Sequence, residues 1–167
     1  NENVASNLIY FFYILMTKEE LKILLAELLP AATFEEGSQW PYVIVPSADW
    51  LSIAGLLRNH KNLQFDFLYC ETCIDWKTKL TMVYFLRSTI FGHELFVKSD
   101  LNRDNPEIES VSSIWLTANF NEREVYEMFG VTFLHHPDLR LLILPDGWEG
   151  RNPLRKDFED PVNMIKL

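Results

Sequence analysis

Apolar residues fall at helical spacing early in the chain, alternate at strand spacing through its middle, and then lose their period. Thr17 opens the first helix: Thr17 and Glu20 have capping-box spacing, and Met16 and Leu21 can staple across it. Leu21, Leu24, Leu25 and Leu28 share one stripe, and Pro30 ends the run. Tyr42 to Val45 predicts a short buried strand between Pro41 and Pro46, and Ser47 is the expected cap of a second helix that turns Leu51, Ala54 and Leu57 inward. Three strands are expected next, Phe65 to Ile74, Leu80 to Arg87 and His93 to Lys98, joined by short polar links as an antiparallel meander. Beyond Asn105-Pro106, Val111, Ile114, Trp115 and Ala118 give another helical stripe. A short helix then takes Asn121 as N-cap and Glu124 as its reciprocal partner, with Phe120 and Val125 as staple and Gly130 at the left-handed end. Helices and strands are segregated, so the class is α+β: one domain with a mixed or antiparallel sheet covered by helices.

The domain reads as residues 17–130, with residues 1–16 as an N-terminal extension and residues 131–167 as an extended arm. Pro137, Pro145, Pro153 and Pro161, half of the chain's 8 prolines, punctuate the arm and exclude a continuous helix or ladder. Yet it carries Phe133, Leu139, Leu141 to Leu144, Trp148, Leu154 and Phe158, which a disordered linker would lack. Apolar content without period predicts docking, onto the arm's own domain or along a partner. Trp148, Arg151, Arg155 and Lys156 are the residue types that anchor interfaces, which favours the partner.

Charge narrows the choice of partner. A formal net charge of −9 over 167 residues argues against nucleic acid and against anionic lipid. The apolar run Leu8 to Met16 is too short to span a bilayer, so no direct membrane insertion is expected.

Candidate chemistry is sparse. Cys70 and Cys73 have metal or redox spacing but lie in a predicted strand, where residues three apart point to opposite faces unless a bulge intervenes. His135-His136-Pro137-Asp138 lacks the spacing of a zinc site, and Asp138 suits the turn after Pro137. A free-standing metal or redox protein using the two cysteines and the histidine pair is therefore the weaker reading, beside a plain adaptor. The 6 glycines form no phosphate loop, and no Ser/His/Asp or Cys/His set is visible. In the short helix, Arg123, Tyr126 and Glu127 share a face; Arg123, flanked by carboxylates, is held as a planar fork.

Glu122-Arg-Glu-x-x-Glu127-Met-Phe, then His136, then Arg140-x-Leu-Ile143 closely resembles the signature of the 30-kilodalton, C-type subunit of respiratory complex I. Leu144-Pro-Asp-Gly-Trp-Glu-Gly and Pro153-Leu-Arg-Lys-Asp157 are also similar to this family, and the likeness covers most of residues 17–158. His135 stands where the family is expected to have Gly, and Arg151-Asn152 adds one residue before Pro153. The resemblance implies a structural, cofactor-free subunit of the peripheral arm of NADH:quinone oxidoreductase. It would pack on the large, 49-kilodalton-type quinone-site subunit at the cytoplasmic side of the bacterial inner membrane. FMN, iron–sulfur clusters and quinone would belong to other subunits of a complex that couples NADH oxidation to proton translocation. The expected interface residues are Glu122, Arg123, Glu124, Glu127, His136, Asp138 and Arg140, with Trp148, Arg155, Lys156 and Asp157 behind them. Arg123 would pair with a carboxylate across that interface. Membrane-bound hydrogenases and formate hydrogenlyases carry similar subunits and are the alternative.

Overall fold

The computed structural model describes residues 16–35 and 41–160, so the N-terminal extension lies, except for Met16, outside the described residues. Helix α1 (Lys18–Leu28) starts as its sequence dictates. Glu20 N–H donates to Thr17 Oγ1, Thr17 N–H donates to Glu20 Oε2, and Leu21 and Leu25 are buried. Strands β1 (Thr33–Glu35) and β2 (Tyr42–Ile44) follow, then a 3-10 turn over Ser47–Asp49 and helix α2 (Trp50–Asn59). Ser47 makes no capping bond: the 3-10 turn winds into the helix, Ala54 and Leu57 face inward as expected, and Trp50 takes the place expected of Leu51. Trp50, Ala54 and Leu57 are buried while Leu51 is exposed.

The long strands β3 (Phe67–Asp75), β4 (Lys79–Arg87) and β5 (Glu94–Asn102) form the antiparallel meander, with β5 longer than its sequence suggested. β2 adds to β5 in parallel and β1 closes the far edge, giving a mixed sheet in the order β1-β2-β5-β4-β3. One face is the core. Leu68 and Cys73 of β3, Met82, Tyr84 and Leu86 of β4, and Leu95 and Val97 of β5 meet the apolar faces of the helices. Each such large side chain contributes about 2 kcal/mol by leaving water. Trp50 lies on Tyr84 with ring centroids 4.1 Å apart.

Strand β6 (Glu107–Glu109) pairs in parallel with β7 (Thr132–Leu134), so the arm's first residues complete a second small sheet. Between them the helical stripe forms consecutive tight turns instead of a helix. Val111, Trp115 and Ala118 are buried as expected, and Trp115 Nε1 donates to Phe65 O at 2.8 Å. Those turns run straight into helix α3 (Ala118–Phe129), which starts before Asn121. Asn121 is therefore an interior residue rather than the cap, and Phe120 is exposed rather than stapled. Thr117, at the N-cap position, donates its hydroxyl to Leu68 O at 3.0 Å and pins the start of α3 to β3. The far end is as read: Gly130 is left-handed, φ +71°.

Candidate functional site

Helix α3 turns most of its charged residues inward. Glu122, Arg123 and Glu127 are all buried, which ionisable groups tolerate only when well bonded. Glu127 accepts from three successive amides of the arm, Leu142, Ile143 and Leu144, at 2.8 to 3.2 Å. Three consecutive N–H groups converging on one anion form a backbone nest, here filled by a carboxylate from the same chain. One turn earlier, Arg123 donates through Nε to Arg140 O at 3.1 Å and through Nη2 to Leu141 O at 2.8 Å. Asp138 lies 4.0 Å from its Nη1.

Glu122 fastens the other side of the helix. Its carboxylate accepts from Ser110 Oγ at 2.6 Å and from Val111 N–H at 2.7 Å. Burial pushes this carboxyl up to about 7, against the opposing pull of those two bonds. His136 has a fully buried side chain. Its Nδ1 accepts from Asp138 N–H at 3.0 Å, which leaves the hydrogen on Nε2 to donate to Asn119 O at 3.1 Å.

The end of the arm closes over the C-terminus of α3. Leu154 N–H donates to Met128 O and Arg155 Nε to Phe129 O, at 3.1 and 2.6 Å, so two terminal carbonyls that a helix leaves open are satisfied. Further along, Lys156 N–H donates to Asp75 Oδ2 at 2.9 Å. Arg103 grips Asp75 through two bonds of 2.9 Å and reaches Asp157 at 2.6 Å. The Arg103 bonds, with smaller help from the Lys156 and Lys77 amides, hold the Asp75 carboxyl well below the usual range.

The sequence assigned Glu122, Arg123 and Glu127 to a partner's surface. In the structure each is buried and bonded within its own chain, and Arg123 meets backbone carbonyls instead of a partner's carboxylate. Glu124, Asp138, Arg140, Lys156 and Asp157 are exposed, while Trp148 and Arg155 are half-buried, Trp148 beneath the guanidinium of Arg151. The Asp75–Arg103 pair escaped the sequence reading because its bonds join segments tens of residues apart, and the Ser110–Glu122 bond because it crosses two irregular turns with no fixed spacing.

Because Arg123 and Glu127 hold the arm by its backbone at residues 140–144, Leu142 and Ile143 are left exposed, while Phe133 is buried and Leu139 packs on the core. Leu142 is 38% exposed, Ile143 62% and Leu154 54%; Leu116, at 87%, and Phe120, at 58%, are exposed too. A groove of about 420 Å³ runs past Leu116, Asn119, His135 and Pro137. Cys70 and Cys73 do not form a site. The ladder is regular from Cys70 to Cys73, so the pleat leaves Cys70 exposed and Cys73 buried on the opposite face, and burial pushes the Cys73 thiol up to about 12. Among the described residues no group of three His, Cys, Asp or Glu is placed to hold a metal.

Fold and clamp together define an α+β domain that carries an extended arm, gripped by its backbone and with Leu142, Ile143 and Leu154 exposed. The chain belongs to the family of the respiratory-chain NADH dehydrogenase 30 Kd subunit, whose profile matches residues 43–162. It is 40% identical over 132 residues to the C-type subunit of the NADH-quinone oxidoreductase of Chlorobium phaeobacteroides, covering 77% of this chain and 79% of that one. It is 44% identical over 124 residues to the C/D-type subunit of the Bacteroides fragilis enzyme, covering 65% of this chain but 23% of that longer protein. Among solved structures it resembles a chain of the membrane-bound sulfane sulfur reductase, an archaeal respiratory membrane complex. That match has a TM-score of 0.74 and 26% identity, over 84% of this chain and 85% of the other.

Proposed function

We propose that this chain is a structural subunit of the peripheral arm of an NADH:quinone oxidoreductase, binding no cofactor itself. Its extended arm lies along the large quinone-site subunit, and the complex carries electrons from NADH to quinone with coupled proton translocation. FMN, the iron–sulfur clusters and the quinone belong to its neighbours. One observation carries the reading: the arm is fixed by backbone bonds, at residues 140–144 to Arg123 and Glu127 and at Leu154 to Met128 O, while Leu142, Ile143 and Leu154 stay exposed. Large apolar groups left exposed along one arm mark a surface that a partner covers. The double designation C/D of the longer relative supports a large D-type subunit as that partner.

Among the described residues no helix is long and apolar enough to cross a membrane. In the proposed complex, attachment on the cytoplasmic side of the inner membrane runs through the partner. The likeness to a chain of a sulfane sulfur reductase complex favours a second reading, in which the same subunit serves a complex with another substrate.

A mild-detergent pull-down from native membranes, with partners identified by mass spectrometry, tests both. Recovery with the quinone-site subunit and an NADH-oxidising flavoprotein supports the first reading. Recovery with the large subunit but no such flavoprotein moves the chain to the second. Ile143→Glu with Leu154→Glu should abolish recovery while leaving the fold intact; undiminished recovery would remove the arm from the interface.

A further inference from the structure

One buried acid has no part in the clamp. Glu71, on the inward face of β3, is 5% exposed, and neither of its carboxylate oxygens has a protein partner. Directly across the ladder stands Tyr84 of β4, fully buried, its hydroxyl likewise unpartnered. Trp50 of α2 covers the Tyr84 ring, and its indole N–H lies by the Tyr84 hydroxyl without a well-aligned bond. Buried polar atoms are almost always bonded, so three neighbours lacking protein partners mark one place in the core.

The charges around that place decide its protonation. From α3, Glu122 faces Glu71 with a carboxylate already supplied with two donors. From β3, Cys73 is a buried neutral thiol, and Asp75 is neutralised by Arg103. From the arm, Arg155 bears on Cys73 while its Nε is spent on Phe129 O, and His136 sits 3.7 Å from Glu122. No cation among the described residues makes an ion pair with Glu71. Burial first, and the Glu122 charge second, push the Glu71 carboxyl well above its ordinary range. Of the two acids, Glu122 has the donors that suit an anion and Glu71 has none. Environments this different drive a pair of carboxyls to opposite protonation states.

We propose that Glu71 is a proton-binding site in the joint between β3 and α3, kept as a neutral carboxylic acid opposite the buried Tyr84. Helix α3 carries Arg123 and Glu127, so the proton on Glu71 underlies the grip on the arm. Its release sets two negative charges against each other across the joint and loosens the helix that holds the arm.

Infrared difference spectroscopy of the full chain at pH 8 tests this, because Glu122 is then mostly ionised. A protonated-carboxyl stretch is expected in the wild type and in Glu122→Gln, and its loss is expected in Glu71→Gln. Absence of the band from the wild type, or its survival in Glu71→Gln, would overturn the proposal. If Glu71→Gln does not fold, titrating the band in the wild type and in Glu122→Gln decides: disappearance at an ordinary carboxylate pH in both would sink it. Trypsin cleavage within residues 140–156 should also accelerate above the pH at which the band vanishes, and an unchanged rate there would disprove the link to the arm.

Discussion

Arg123 and Glu127 stand one turn apart on α3 and divide five consecutive arm residues between them. Arg123 takes the carbonyls of Arg140 and Leu141, and Glu127 takes the amides of Leu142, Ile143 and Leu144. Residues at i and i+4 share a helix face, so two opposite charges there can grip a strand of backbone by its two polarities at once. The pair that would ordinarily bond to itself on a solvated surface is spent on the arm.

Glu127→Gln keeps the shape but sets an amide NH2 against N–H donors. Charged hydrogen bonds of this kind contribute about 1.5–3 kcal/mol. Amide exchange at Leu142, Ile143 and Leu144 should accelerate about 10- to 100-fold while the amides of β4 keep their rates. Equal rates in mutant and wild type would show that the nest does not hold the arm.

Gly130 is constrained twice, by its φ of +71° and by Asn152, whose side-chain nitrogen would lie 2.6 Å from a Cβ placed there. Gly130→Ala should destabilise the fold by about 1–2 kcal/mol from the left-handed backbone alone, and by more from the clash. Adding Asn152→Ala should recover the steric part only. Urea unfolding of the two single variants and the double separates the terms, and strict additivity would mean that the contact does not matter.

Asp75 is held low chiefly by Arg103, which fixes the sign of its pH dependence. Its contribution is present above the unfolded value of about 3.9 and is lost as pH falls through the lowered folded value. Asp75→Asn should therefore flatten the loss of thermal stability below pH ~4, and should free the Lys156 end of the arm at neutral pH. An unaltered acid limb would exclude this carboxylate as its source.

Glu122 acts in the opposite direction. Its folded value is raised to about 7, so its stability is complete below the ordinary carboxylate value near 4.5 and is lost as pH climbs towards 7. Glu122→Gln should remove that part of the slope between pH 4.5 and 7 and leave the contribution of Glu71, whose carboxyl burial also raises. Melting temperatures across pH 4 to 9 would show it; a slope unchanged by the substitution would clear Glu122.

Legibility followed the range of the interactions. Thr17 and Glu20 are three residues apart, and their capping box was readable because sequence spacing fixes it. The strands were readable because one buried face imposes alternation, as at Leu80, Met82, Tyr84 and Leu86. Val111, Trp115 and Ala118 misled because inward spacing of three and four is met equally by consecutive tight turns, once Trp115 is anchored to the distant Phe65 carbonyl. The arm's apolar content was visible, but not its path, because Arg123 and Glu127 bind backbone atoms that every residue possesses. For the same reason, the two charges read as a partner's contacts when they belong to this chain's own clamp.

A clamp that touches only peptide groups is blind to the side chains it displays. The outward positions of the arm at Leu142, Ile143 and Leu154 can be rewritten without disturbing how the arm is held, so long as no proline removes a gripped amide. One scaffold can in this way be refitted to differently shaped neighbours by changing a handful of codons, its own fold left untouched.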